Sequence, residues 1–217
     1  MSLELTRPFW LLADSLPTAW SGRLNGVLDP RHPSRHSIWT PVWDIIQQTV
    51  FLKSGQRLST EAFREVNAVD NSEDRPSRSI ENWHNPNLID RVATFGSELI
   101  NNKPKVVITF GQFAFEFVRR SMGMPVQKVM HWNRIKLGDE FRKVLEYSSS
   151  SDKPVIIPLL HATISRGQFL DAHEEYTGLN DGNYFSYTGA AIADLILNRH
   201  SAPEIWLKFE VSSPKMT

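Results

Sequence analysis

The strongest constraint on how this chain can fold lies near its middle. There Lys105-Val-Val-Ile-Thr-Phe110 runs into Gly111 and then into Gln112-Phe-Ala-Phe-Glu-Phe-Val-Arg-Arg-Ser-Met122. The first stretch, 105–110, is rich in β-branched residues and reads as a buried strand. Gly111 supplies the turn, and 112–122 has the spacing of an amphipathic helix. A helical pattern also precedes the strand. A helix–strand–helix rhythm implies parallel pairing, with helices covering the faces of the sheet.

The flanking segments extend the same rhythm. Residues 8–14, Pro-Phe-Trp-Leu-Leu-Ala-Asp, form a short apolar run that reads as a buried strand ending at Asp14. Residues 15–37 are punctuated by prolines and turn formers and read as a long loop. Over 38–52, Trp39, Val42, Trp43, Ile46 and Val50 share one helical face. Residues 60–69 alternate as a half-buried strand does, with a short helix before Val66 as the alternative, and 70–78 is a polar loop around Pro76. Asn85-Pro86 has the cap-then-proline form of a helix start, and Leu88, Val92, Phe95 and Leu99 carry that helix to about residue 102. Residues 126–137 read as a strand, 139–147 as a helix, 148–152 as a connector, 154–160 as a second buried strand and 184–198 as a closing helix.

Strands near 8, 62, 105, 128 and 155, separated mostly by helices, predict a three-layer α/β/α sandwich. Its central sheet is mainly parallel, with four or five strands. The expected organisation is one domain over 1–217, with a core at about 8–199 and a C-terminal tail at 200–217. Sheets of this kind bind ligands beyond the carboxyl ends of their strands.

Composition bounds the function. The 217 residues are 41% hydrophobic and 22% charged, a globular balance with enough chain for a sizeable core. No apolar run approaches the length of a membrane span, and the opening Met-Ser-Leu-Glu-Leu-Thr-Arg lacks a signal-peptide layout, so no membrane partner and a cytoplasmic location are expected. With no cysteine, disulfides, thiolate metal sites and cysteine nucleophiles are excluded. Lys plus Arg and Asp plus Glu balance at 24 each, so long-range attraction to nucleic acid is not built into the whole chain. Arg7, Arg23, Arg31, His32, Arg35 and His36 nevertheless make the first 36 residues locally basic, either as a solvated loop or as a local patch.

Three polar residues stand at expected strand ends: Asp14, Asn67 and His161. Each has an ordinary structural explanation, since Asp and Asn form turns and caps and a histidine ending a strand is commonly hydrogen-bonded in place. Together they say more, because strand ends in such folds converge on one groove. Neither a dinucleotide fingerprint, a phosphate-binding loop nor a nucleophile elbow is present. No cofactor is expected. No metal site is expected either, since Pro33 breaks the spacing of His32 and His36. Trp39 and Trp43 read as core; Trp20 and Trp132, in or near loops, are candidates for stacking on a base.

At this level the chain resembles the uracil-DNA glycosylase superfamily, over roughly residues 9 to 167. The stretch from Lys103 to Phe117 is similar to the superfamily's central strand–Gly–helix. Phe63-Arg-Glu-Val-Asn67 resembles the strand whose asparagine reads the base edge in some members. Phe9 to Pro17 stands at the first catalytic motif, and Ile157 to Gly167 stands at the His-Pro-Ser loop, where His161 is kept and Ala162-Thr163 replace the usual Pro-Ser. Alignment on Asp14 supplies the acid and leaves the motif's proline one residue late; alignment on Pro17 puts Ser15 or Leu16 in the acid's place.

The resemblance implies hydrolysis of the N-glycosidic bond of a damaged or deaminated, uracil-type base in DNA. In that reading Asp14 and His161 are catalytic, and Asn67, Ser15, Leu16 and Pro17 bind the base. Gly111, Gln112, Thr163, Ile164, Ser165 and Arg166 contact the DNA, with Ile164 as a wedge and Arg166 on a phosphate. A catalytically inactive nucleic-acid- or nucleotide-binding module, and a nucleoside-acting hydrolase or transferase, are the alternatives.

Overall fold

The computed structural model describes residues 7–15, 40–70, 72–76, 83–147, 153–161, 170–180, 182–199 and 207–208. Within these, strands β1 (Phe9–Ala13), β3 (Phe63–Asn67), β4 (Val106–Phe110) and β5 (Val155–Leu159) form one sheet in the order β3-β1-β4-β5. Every pairing is parallel. Phe9 lies opposite Phe63 on one side and Val106 on the other, and Val106 opposite Val155. Helices α1 (Thr40–Ser54), α2 (Pro86–Asn102), α3 (Gln112–Ser121), α4 (Arg134–Tyr147), α5 (Leu170–Thr177) and α6 (Tyr184–Arg199) flank it. The expected three-layer α/β/α sandwich is the observed architecture, with a sheet of four strands.

The period-two alternation of the strands divides the apolar residues between two cores. Phe9 and Leu11 of β1 and Val106, Ile108 and Phe110 of β4 face Val42, Ile46 and Val50 of α1, Phe141 of α4, Tyr176 of α5 and Ile192 and Ile196 of α6. Trp10, Leu12 and Val107 face the opposite way, against Leu88, Phe95 and Leu99 of α2 and Phe113, Phe117 and Val118 of α3. Burial on both faces explains why β1 and β4 read as continuous apolar runs and not as alternating ones.

Local signals set most boundaries. The Asn85 side chain accepts from the Asn87 N–H and Pro86 opens α2, as the sequence predicts. Where α1 crosses α6, Gly189 lets the backbones meet: a Cβ there would lie 2.6 Å from Ile45 Cγ2 and 3.1 Å from the Val42 carbonyl.

Two expectations are corrected. Residues 126–137 do not form a strand; they hold a single 3-10 turn at Val129–His131 and the start of α4, which absorbs the separately expected helix at 139–147. Glu116 of α3, fully buried, draws this segment in. Its carboxylate accepts from the Gln127 N–H at 2.9 Å, the Trp132 indole N–H at 2.8 Å and Arg120 Nε at 2.8 Å. The backbone therefore bonds to side chains instead of a ladder. Val126, Met130 and Ile135, whose apolar character suggested a strand, are exposed. The C-terminal tail also carries structure, because β6 (Leu207–Lys208) pairs antiparallel with β2 (Arg57–Leu58). Helix α5 lies in a stretch for which the sequence predicted no element. No described helix is long and apolar enough to cross a membrane.

Candidate active site

The strand order reverses at β1: the chain moves outward from β1 to β3, then crosses back over β1 to β4. The crevice at such a switch point opens beyond the carboxyl ends of β1 and β4, where folds of this type place ligands. Asp14 follows the last residue of β1, and Gly111 follows the last residue of β4.

The backbone at Asp14 is fixed, because the parallel ladder continues past both strands. The Ala68 N–H donates to the Ala13 carbonyl at 2.9 Å and the Val69 N–H to the Asp14 carbonyl at 3.1 Å. Following Trp10 and Leu12, the Asp14 side chain points to the α2/α3 face and is only 8% exposed. Its Oδ1 accepts from the Ala114 N–H at 3.2 Å in the first turn of α3, and its Oδ2 accepts from Arg75 Nη1 at 2.7 Å. The carboxylate thus occupies the positive end of a helix dipole and is held there by a guanidinium. Doubly wound folds use that same position for a ligand's phosphate. Here the chain's own acid fills it.

His161 arrives from the other direction, two residues past the end of β5. Its Nε2 lies 3.7 Å from Asp14 Oδ2, beyond hydrogen-bond length and inside the distance of an ion pair. The imidazole rests on Gly111. That residue has φ +99°, and a Cβ on it would stand 2.9 Å from His161 Cβ and 3.1 Å from Cδ2. Gly111 therefore meets two demands that no other residue satisfies together: a positive φ and a ring packed on its Cα. The Gly111 N–H donates to the Leu159 carbonyl at 2.9 Å, which ties the floor of the site to β5.

Asp14 and His161, paired in the sequence reading, are thus brought together over Gly111. They stand closer than a base-binding cleft requires, since 3.7 Å leaves no space for a ring between the two groups. Ser15 follows Asp14 in the chain, and Gln112 follows Gly111 as the first residue of α3. Asn67 ends β3 opposite Ala13, and strand alternation directs its side chain to the α1 face with Phe63, opposite to Asp14. Its Oδ1 is buried and meets no hydrogen-bond donor among the described residues, while its backbone carbonyl accepts from Arg91 Nη2 at 3.1 Å. Leu16, Pro17, Thr163, Ile164, Ser165 and Arg166 lie outside the described residues, as do Trp20, His32 and His36. Trp132 is not available for stacking on a base. It is 4% exposed, its indole N–H is spent on Glu116, and its ring packs edge-on against Phe115.

Arg75 is the site residue that sequence reasoning missed. It sits in the polar loop after β3, and nothing in its neighbourhood distinguishes it from a solvated surface arginine. Among the described residues no cluster of three or more His, Asp or Glu side chains is placed to hold a metal. No protein-family model, no curated protein and no solved structure matches this chain.

Proposed function

We propose that the chain hydrolyses the N-glycosidic bond of a deaminated or damaged base in DNA, with Asp14 and His161 as the acting pair. One observation carries this reading: the acid and the histidine, 147 residues apart in sequence (161 minus 14), meet over a glycine floor at the switch point of the sheet. Breaking the bond between the sugar C1′ and the base nitrogen leaves the electron pair on the base and positive charge on the sugar. The C1′–O bond to water then forms as the water gives up a proton, which the departing base anion takes up in the end. A carboxylate fixed by a backbone N–H and a guanidinium costs little to reorganise as that charge develops, and it orients the water. An imidazole N–H donating to the base carbonyl stabilises the departing anion. Because no ring fits between the two side chains, the base on this reading lies against the solvent-facing edge of His161, whose side chain is 33% exposed.

A second reading has its own support. The Asp14 carboxylate is already engaged by Ala114 and Arg75 and approached by His161, an arrangement that also serves a structural clamp in a module that binds nucleic acid without chemistry. The test is a panel of labelled oligonucleotides containing uracil, hypoxanthine or xanthine, incubated with excess protein and then cleaved by alkali at abasic sites. Base release from at least one supports the glycosylase. Binding of the strands with no release supports the clamp, and neither binding nor release sinks both.

A further inference from the structure

Strand β5 pairs only with β4 and is therefore an edge of the described sheet, with outward backbone groups that need other partners. Pro158 removes one of the outward N–H groups. Two tyrosines meet the next two. The Tyr176 hydroxyl donates to the Pro158 carbonyl at 2.5 Å, and the Leu160 N–H donates to the Tyr184 hydroxyl oxygen at 2.8 Å. Both rings are completely buried and pack edge to face, 5.1 Å between centroids, while Tyr184 also stacks on His173 at 5.2 Å. Burial pushes both phenols up from their ordinary value, so they stay neutral throughout the range in which a histidine works.

The two bonds are not equivalent for His161. The Leu159 carbonyl and the Leu160 N–H belong to one rigid peptide plane. Gly111 of the site floor holds that plane from the sheet side and Tyr184 holds it from the outer side. His161 is the next residue. Tyr176 grips the plane before, one step further from the imidazole.

We propose that Tyr184 is a positioning residue of the site, setting the Leu159–Leu160 peptide that leads into His161 so that the ring lies on Gly111 and faces Asp14. The proposal rests on the glycosylase reading only for the consequence in rate; the seating of the ring is tested without it. The experiment compares Tyr184→Phe with Tyr176→Phe by measuring the nuclear Overhauser contact between the His161 ring Cδ2 proton and the Gly111 α-protons. Each variant loses one edge hydrogen bond and some stability, so general weakening of β5 acts in both. The contact is expected to persist in Tyr176→Phe and to be lost in Tyr184→Phe. Its persistence in both, or its loss in both, overturns the proposal.

Where base release is measurable, Tyr184→Phe is expected to lower kcat by about tenfold with KM little changed, the scale of a modest misplacement of a catalytic group. Wild-type protein that releases no base removes the glycosylase reading, and the ring contact still decides whether Tyr184 seats His161. Should Tyr184→Phe fail to fold, amide exchange in the wild-type protein takes its place. Leu160, whose N–H faces away from the sheet, is expected to exchange as slowly as the amides of β4, and exchange at the rate of an open loop overturns the proposal.

Discussion

Besides the approach of His161 at 3.7 Å, replacing Asp14 by alanine removes three contributions that the structure allows to be sized. The Ala114 N–H, buried in the first turn of α3, loses its acceptor at 3.2 Å. An orphaned buried donor costs about 1–3 kcal/mol, the lower half applying where water reaches the vacated space. The negative charge at the α3 N-terminus goes too, worth about 0.5 kcal/mol. Arg75 loses its partner at 2.7 Å, but its side chain is a third exposed, so solvent screening limits that contribution to about 0.5 kcal/mol. The sum is about 2–3 kcal/mol for Asp14→Ala. Asp14→Asn keeps an oxygen for Ala114 and loses only the charge terms, about 1 kcal/mol. Urea unfolding followed by circular dichroism measures both, and the slope with denaturant should be unchanged, since neither variant alters the surface exposed on unfolding. The contrary outcome is alanine costing less than about 0.5 kcal/mol, or costing no more than asparagine. Asp14 would then not be anchored through its carboxylate.

Other consequences follow from the same geometry. Gly111→Ala must adopt a positive φ and push its methyl into the His161 ring; destabilisation by about 2–4 kcal/mol in urea is expected, and a near-neutral effect would show that neither constraint exists. Glu116→Gln leaves a carboxamide with one acceptor oxygen where three donors now converge, and two nearly buried arginines lose their charge partner. A loss of about 3 kcal/mol is expected, with quenching of the Trp132 environment in fluorescence, and stability within about 0.5 kcal/mol of wild type would contradict the account of the 126–137 segment.

What was legible in the sequence is what local chemistry determines. The strand at 105–110, the glycine turn and the helix after it were readable because β-branched residues, a glycine and a helical apolar stripe follow one another without conflict. Asn85-Pro86 marked the start of α2 for a similar reason, since cap and first-turn proline act within their own helix. The 126–137 segment was misread because its backbone is organised by Glu116, a residue whose charge predicts exposure and whose burial depends on Gln127 and Trp132 folding back onto α3, beside Arg120 one turn along the same helix. In the site, Asp14, Gly111 and His161 could be picked out as polar or glycine residues at strand ends. Their distances could not, because strand order decides which ends are neighbours. Arg75 left no mark, since its role comes from the path of a loop. The face of Asn67 was readable in principle from its two-residue phase with Phe63 and Glu65, and that phase separates it from Asp14.

In the proposed function, Asp14 and His161 together perform glycosidic hydrolysis. Its most direct test is single-turnover base release, using whichever modified oligonucleotide the wild-type protein cleaves best, compared with His161→Ala at equal protein excess. Loss of one preorganised donor to a developing anion is expected to slow release by about a hundredfold or more. Affinity for the same oligonucleotide should be nearly unchanged, because phosphate contacts supply most of it. Release by His161→Ala within about threefold of wild type, with the variant folded, would contradict the claim, since a histidine that donates to the leaving base cannot be dispensable.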